Sequence, residues 1–411
     1  MSRLTTLLNV TIGFLSPAVV IFWSLIRICT WPSLTLYRYW NEALFSVYMR
    51  AFLFFFEYWN IKKIYVYGDV DYFKHKNERV LYIANHLSTA DWFMCSILVA
   101  RQGGLGRTRF VLHKMLKYIP IFGFYLAQDS CLYVDRSNFK PNDAIATLEH
   151  IKSMQSDVWM AIYPEGTRYN PEHKDVIKKS DCFAEQNSIV PFKHHLTPRI
   201  RGFQLLFDHL RDYVDTIYDV CVVYADENGR PLDHRTRAPQ LTNWFDHRYC
   251  VHVHITRIPI ESLPTESDKV QSWLYSRFRI KDEFVENLQS RFHGSNQNHC
   301  VQPNGYVKHT DPANGLGMKK LPASPRGDLP ESEADVSLVQ EAIIAALPNS
   351  LDKRTAVLPP LRLIHLLPSV ILFYGFSLYW LLFLGWFGVL SFTGVAIAGS
   401  VLGCLYVHYL V

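Results

Sequence analysis

Hydrophobic and polar positions divide this chain into greasy ends around an alternating middle. Residues 8–26 are almost wholly apolar up to Arg27, residues 44–59 are apolar except for Arg50 and Glu57, and residues 363–411 are nearly uncharged. Between them, short β-branched and aromatic runs at 63–67, 80–84, 109–112, 131–134, 158–163, 218–224 and 250–258 alternate with helix-like stretches. Strands separated by helices predict an α/β domain with a mostly parallel central sheet and loops gathered at one edge. From about residue 293 to 332, Asn, Gly, Pro, Ser and His replace apolar residues. Such a segment cannot repay the entropy of ordering, so it reads as a flexible linker, followed by a short amphipathic stretch at 336–347.

The apolar ends predict membrane contact. The first run approaches the ~20 residues that a crossing needs. It carries no small-residue cleavage site and is interrupted by Pro17, so it reads as an uncleaved anchor. Charges at mid-bilayer are costly, and Arg50 and Glu57 make the run 44–59 interfacial or re-entrant rather than spanning. The alternative for both runs is a pair of buried core helices. Residues 363–411 exceed twice the length of one crossing, with Gly385, Gly388 and Gly394 near the middle, which predicts a hairpin of two crossings. The expected division is a membrane anchor with interfacial helices over 1–59, a catalytic domain over 60–290, a linker with a short amphipathic helix over 291–360, and a transmembrane hairpin over 361–411.

Charge and cysteine content narrow the partners. The formal charge of +5, from 42 basic and 37 acidic residues, is too small an excess to argue for nucleic acid, and no basic stripe with interleaved aromatics occurs. It is compatible with a mild attraction to anionic lipid surfaces. Eight cysteines, none in a Cys-x-x-Cys pair, imply reduced thiols facing cytosol. His252 and His254 share one face of a strand, but no carboxylate or cysteine at ligand spacing accompanies them. They read as a solvent-facing strand face, and no metal or cofactor is expected.

Two motifs carry candidate chemistry. Asn85-His86-Leu87-Ser88-Thr89-Ala90-Asp91 follows the strand run 80–84 and precedes an apolar helical run. In an unbroken helix His86 and Asp91 would stand about 140° apart. They meet only if His86 lies on the corner and Asp91 in the helix's first turn, which the capping-box pattern Ser88-x-x-Asp91 supports. A carboxylate there would fix the imidazole tautomer as a general base requires; the bland alternative is a capped helix with His86 a turn residue. The second motif, Tyr163-Pro164-Glu165-Gly166-Thr167-Arg168, ends the run 158–163. Pro164 cannot donate to a ladder and Gly166 permits a tight turn, so Glu165, Thr167 and Arg168 are expected at the strand's tip. Arg168 offers a forked cation suited to phosphate; its bland alternative is a solvated ion pair with Glu165.

Together these motifs resemble the glycerophospholipid acyltransferases, in particular the 1-acylglycerol-3-phosphate acyltransferases. Lys114-Met115-Leu116-Lys117-Tyr118-Ile119-Pro120-Ile121-Phe122-Gly123, Tyr133-Val134-Asp135-Arg136 and Leu196-Thr197-Pro198-Arg199 are similar to that family's other blocks. The order and spacing agree over roughly residues 60 to 290, and the layout resembles the epsilon-type branch. The resemblance implies a glycerolipid acyltransferase-like α/β domain docked on a lipid bilayer by N-terminal helices. It implies transfer of an acyl group from acyl-CoA, a co-substrate rather than a cofactor, to the sn-2 hydroxyl of lysophosphatidic acid or a related lysophospholipid. His86 would be the base and Asp91 its orienting partner, and Glu165, Gly166, Thr167, Arg168, Lys114 and Arg136 would bind substrate. The family's usual membrane is the endoplasmic reticulum, with the active site facing cytosol, and the mitochondrial outer membrane is the alternative. Rival readings are a catalytically silent membrane scaffold and a lipid hydrolase with Ser88 as nucleophile, although the Gly-x-Ser-x-Gly elbow is absent.

Overall fold

A computed structural model describes residues 17–297 and 355–409, apart from 120–122, 124, 125, 127–129, 136–138, 154, 156, 234 and 246. Residues 298–354 of the expected linker, which include the stretch at 336–347, lie outside the described residues, as do Arg136 and the first part of the N-terminal run, whereas residues 291–297 continue a helix. Two helices open the described chain, α1 (Pro17–Cys29) and α2 (Leu34–Phe55). There follow β1 (Ile61–Gly68), β2 (Val80–Ala84), α3 (Asp91–Gln102), β3 (Thr108–His113), β4 (Leu132–Val134), α4 (Pro141–Ser153) and β5 (Trp159–Ile162). The second half supplies α5 (Lys174–Gln186), α6 (Ile200–Leu210), β6 (Thr216–Ala225), β7 (Tyr249–Pro259), α7 (Ser267–Gln297), β8 (Thr355–Val357), α8 (Leu363–Phe383) and α9 (Gly385–Tyr409).

All seven expected strands, joined by β8, form one eight-stranded sheet in the order β4-β3-β5-β2-β6-β7-β1-β8. Its pairings are parallel except β6 with β7 and β1 with β8. The five strands from β4 to β6 therefore point their carboxyl ends at one edge, where ligands of open α/β sheets bind. Val80 to Ala84 is wholly buried, as a strand covered on both faces must be. Tyr82 faces Phe52 of α2 and Phe93 of α3 in one apolar layer, and Leu81 and Ile83 face Leu148, Phe203, Leu206 and Leu274 of α4, α6 and α7 in the other.

Three features depart from expectation. The run 44–59 is a core helix: Phe45, Tyr48, Met49, Phe52 and Leu53 are buried against the sheet. Its acidic residue is neutralised there, because Glu57 pairs with Arg101 at 3.0 Å in the interior. The strand face of His252 and His254 is not open to solvent, since α7 lays Phe284 and Phe292 across it. His252 places Nδ1 on the Tyr67 hydroxyl at 2.8 Å and Nε2 on the Gly229 carbonyl at 2.9 Å. Finally, the chain returns after residue 354 as β8 and lengthens the sheet along β1.

The C-terminal helices turn at Leu384–Gly385, where Gly385 takes φ +54°. They pack as a pair, with the Trp380 indole N–H donating to Ser391 Oγ at 2.7 Å. Among the described residues, Leu363–Phe383 is long and apolar enough to cross a membrane, whereas Val19–Cys29 and Gly385–Gly399 are shorter apolar helices. Leu382, Phe383, Trp386 and Phe387 leave the tip of this hairpin exposed and apolar.

Candidate active site

The site begins where β2 stops pairing. The Asn85 side chain accepts from the Val222 N–H at 2.7 Å and donates to the Val222 carbonyl at 2.9 Å, standing in for a ladder residue. The backbone is thus free to turn the corner at His86. Asp91 is the first residue of α3, and its Oδ2 lies 2.7 Å from His86 Nδ1. The same oxygen accepts from the Leu87 and Ser88 N–H groups at 2.7 and 2.9 Å, and Oδ1 accepts from the Tyr224 hydroxyl at 2.6 Å. Half of the expected capping box forms: the carboxylate reaches the Ser88 N–H, while Ser88 Oγ accepts from Ala90 and donates to the Pro239 carbonyl.

A carboxylate only accepts, so the proton between the two groups sits on Nδ1 and the lone pair of Nε2 faces outward. The His86 side chain is 24% exposed and Asp91 2%, so the carboxylate is dry while the imidazole is partly open to solvent. The ring stacks on Tyr163 with centroids 4.6 Å apart.

Tyr163 opens the second motif. Gly166, at φ +72°, returns its N–H to the Tyr163 carbonyl at 2.9 Å in a turn that favours glycine. Glu165 does not stand at the tip. It is 3% exposed, with Oε1 accepting from the His86 N–H at 2.7 Å and Oε2 from the Leu196 N–H at 2.9 Å. Burial pushes its carboxyl up to about 8, against the pull of those two N–H donors toward the charged form. Glu165 therefore braces the backbone of His86 rather than facing a ligand, and the surface ion pair with Arg168 does not form. Arg168 is exposed and has no hydrogen-bond or ion-pair partner among the described residues. Its neighbour Tyr169 donates its N–H to the His86 carbonyl at 2.8 Å, which ties this turn to the corner at His86.

Thr167 is half-buried on the same turn. Lys114 follows β3 at the same sheet edge and pairs with Asp135 beyond β4. Tyr224 and Asn85 gave no sign of their roles in the sequence, because their partners come from distant strands. Ser88, buried with its hydroxyl on a carbonyl, is not presented as a nucleophile. Among the described residues no cluster of His, Cys, Asp and Glu could hold a metal ion.

An acyltransferase family profile matches residues 63–197, and an acyltransferase C-terminus profile matches residues 246–310. The 1-acyl-sn-glycerol-3-phosphate acyltransferase epsilon of Mus musculus is 37% identical over 275 residues, 66% of this chain and 74% of that protein. The probable 1-acyl-sn-glycerol-3-phosphate acyltransferase 5 of Arabidopsis thaliana is 28% identical over 264 residues, 62% of this chain and 64% of that protein. The delta protein of that name from Bos taurus is 27% identical over 267 residues, 64% of this chain and 68% of that protein.

Proposed function

The chain belongs to the 1-acyl-sn-glycerol-3-phosphate acyltransferase family and is an acyltransferase, and on that premise we propose that it moves a fatty acyl group from acyl-CoA to the sn-2 hydroxyl of 1-acylglycerol-3-phosphate. The observation that carries this reading is the 2.7 Å contact of His86 Nδ1 with Asp91, which leaves Nε2 as an accessible base. His86 takes the hydroxyl proton as the oxygen attacks the thioester carbonyl, and the buried Asp91 stabilises the imidazolium that forms. The C–O bond forms, the C–S bond breaks, and the proton passes to the departing CoA thiolate. Phosphatidic acid and CoA result.

Arg168 serves as the grip on the acceptor's phosphate, since an exposed guanidinium without a protein partner loses no interaction on binding one. Lys114 supplies a second cation at the same edge by exchanging Asp135 for the phosphate, and Arg136 is a further phosphate-binding residue by the family resemblance. Gly166 and Thr167 shape the turn. Helix α8 anchors the enzyme in the endoplasmic reticulum membrane with the sheet edge toward cytosol, where acyl-CoA is found, so the acceptor reaches Arg168 from the bilayer. A fork for one phosphate also suits lysophosphatidylglycerol or lysophosphatidylinositol. Purified protein given labelled acyl-CoA and a panel of lysophospholipids tests the assignment: phosphatidic acid is the expected major product, and transfer confined to another acceptor would replace lysophosphatidic acid as substrate.

A further inference from the structure

Lys114 and Arg168 follow β3 and β5, whereas an open cleft reaches from Tyr169, beside Arg168, to Val223 and Tyr224 of β6. Leu87 and Tyr224, the neighbour of His86 and the hydroxyl partner of Asp91, line it. Val223, Leu232, Ala238 and Val285 make its walls mostly apolar.

Two further observations mark the occupant. His195 also lines the cleft, is 2% exposed, and places Nδ1 on Asp282 Oδ1 at 3.1 Å, while its Nε2 has no hydrogen-bond partner among the described residues. Burial alone would raise the carboxyl of Asp282. The hydrogen bond to His195, with the N–H groups of Lys193 and His194, holds it instead at about 2. That carboxylate accepts the Nδ1–H, and burial disfavours a second proton on the ring, so Nε2 is left as an acceptor. The lining residues Thr236 and His194 have exposed chain neighbours, Arg235, Arg237 and Lys193. Each of these cations now pairs with a carboxylate, Asp233, Glu172 and Glu286 respectively, on the surface. Such pairs are worth about 0 to 1 kcal/mol, so a phosphate can replace the partner.

We infer that this cleft is the donor site, taking the pantetheine arm of coenzyme A with its thioester delivered past Leu87 and Tyr224 to His86 and its nucleotide phosphates outside among Arg235, Arg237 and Lys193. A mostly apolar cleft lined by His195 fits a thin arm bearing amide N–H groups, and the exposed cations beside it fit the phosphates. An acyl chain has neither group. The inference rests on acyl transfer from a CoA thioester.

The test fills the cleft with Ala238→Trp and uses free CoA, which has no acyl chain, as a competitive inhibitor. The expected result is a rise of about tenfold or more in KM for acyl-CoA and in the inhibition constant of CoA, with KM for lysophosphatidic acid within about twofold of wild type. An unchanged CoA inhibition constant with altered chain-length preference would hand the cleft to the acyl chain, and a rise in acceptor KM alone would hand it to the acceptor; either overturns the inference. If Ala238→Trp melts early, the surface pair Arg235→Ala with Arg237→Ala decides. It should weaken inhibition by CoA several-fold while leaving turnover of an acyl-pantetheine, which lacks the nucleotide, unchanged; equal inhibition by CoA in both proteins overturns the assignment. A wild-type protein that transfers nothing from acyl-CoA would refute the reaction itself, a result separate from these.

Discussion

The corner behind His86 and the rim in front of it are built on opposite terms. Behind it, each oxygen of Asp91 and Glu165 accepts a hydrogen bond in the dry interior, from Tyr224, from backbone N–H groups or from the imidazole itself. In front, Arg168 is exposed and partnerless among the described residues. An unmade hydrogen bond is costly in the interior and nearly free in water. Saturated buried carboxyl groups thus hold the imidazole in one orientation, while an unsaturated cation stands on the rim.

Breaking the buried half should cost the most. His86→Ala removes the base and no packing element, so the rate should fall on the order of 10² to 10⁴ with the melting temperature unchanged. Steady-state turnover beside a thermal melt checks this. Asp91→Asn turns an amide N–H₂ toward at least one of the donors that now serve Asp91. A loss of about 10² in kcat is expected, together with about 1 to 3 kcal/mol of stability; an active protein with only a lowered melting point would reduce Asp91 to a helix cap.

Breaking the exposed half should be milder and selective. Arg168→Lys keeps the charge and loses the planar fork, so KM for lysophosphatidic acid should rise about tenfold while KM for acyl-CoA stays put. Equal effects on both substrates would remove Arg168 from the acceptor site.

The smallest effect sharpens the comparison through pH. The folded value of Glu165, about 8, lies above its ordinary 4.5, so its contribution to stability is complete below 4.5 and is lost as pH rises through about 8. The stability of wild type relative to Glu165→Gln should therefore decline between those limits by at most about 1.4 kcal/mol per pH unit. Chemical denaturation across that range measures it, and a flat difference would mean that Glu165 ionises as readily folded as unfolded.

Local pattern carried much of this structure. Seven strand runs and the corner geometry of His86 and Asp91 were legible because period, turn residues and spacing act within a few positions. What was hidden depends on distant partners. Tyr224 lies 133 positions from Asp91, and nothing in its own apolar strand marks it. Glu165 turns inward because backbone donors at His86 and Leu196 await it, which no motif spells out. The two acidic and basic residues of the run 44–59 argued for an interface, yet Glu57 finds Arg101 inside the fold and Arg50 reaches the His365 carbonyl at 3.4 Å. The His252 and His254 face was closed by a helix that follows it in sequence but is fixed only by tertiary packing.

The most direct test of His86 acting as a base on the acceptor is the order of events with an acyl-CoA labelled in its acyl group. Without lysophosphatidic acid, neither thiol release nor label on the protein is expected; on adding it, one phosphatidic acid should appear per CoA freed. Label held by the protein before the acceptor arrives, or thiol released as free fatty acid accumulates, would contradict direct attack by a hydroxyl that His86 deprotonates.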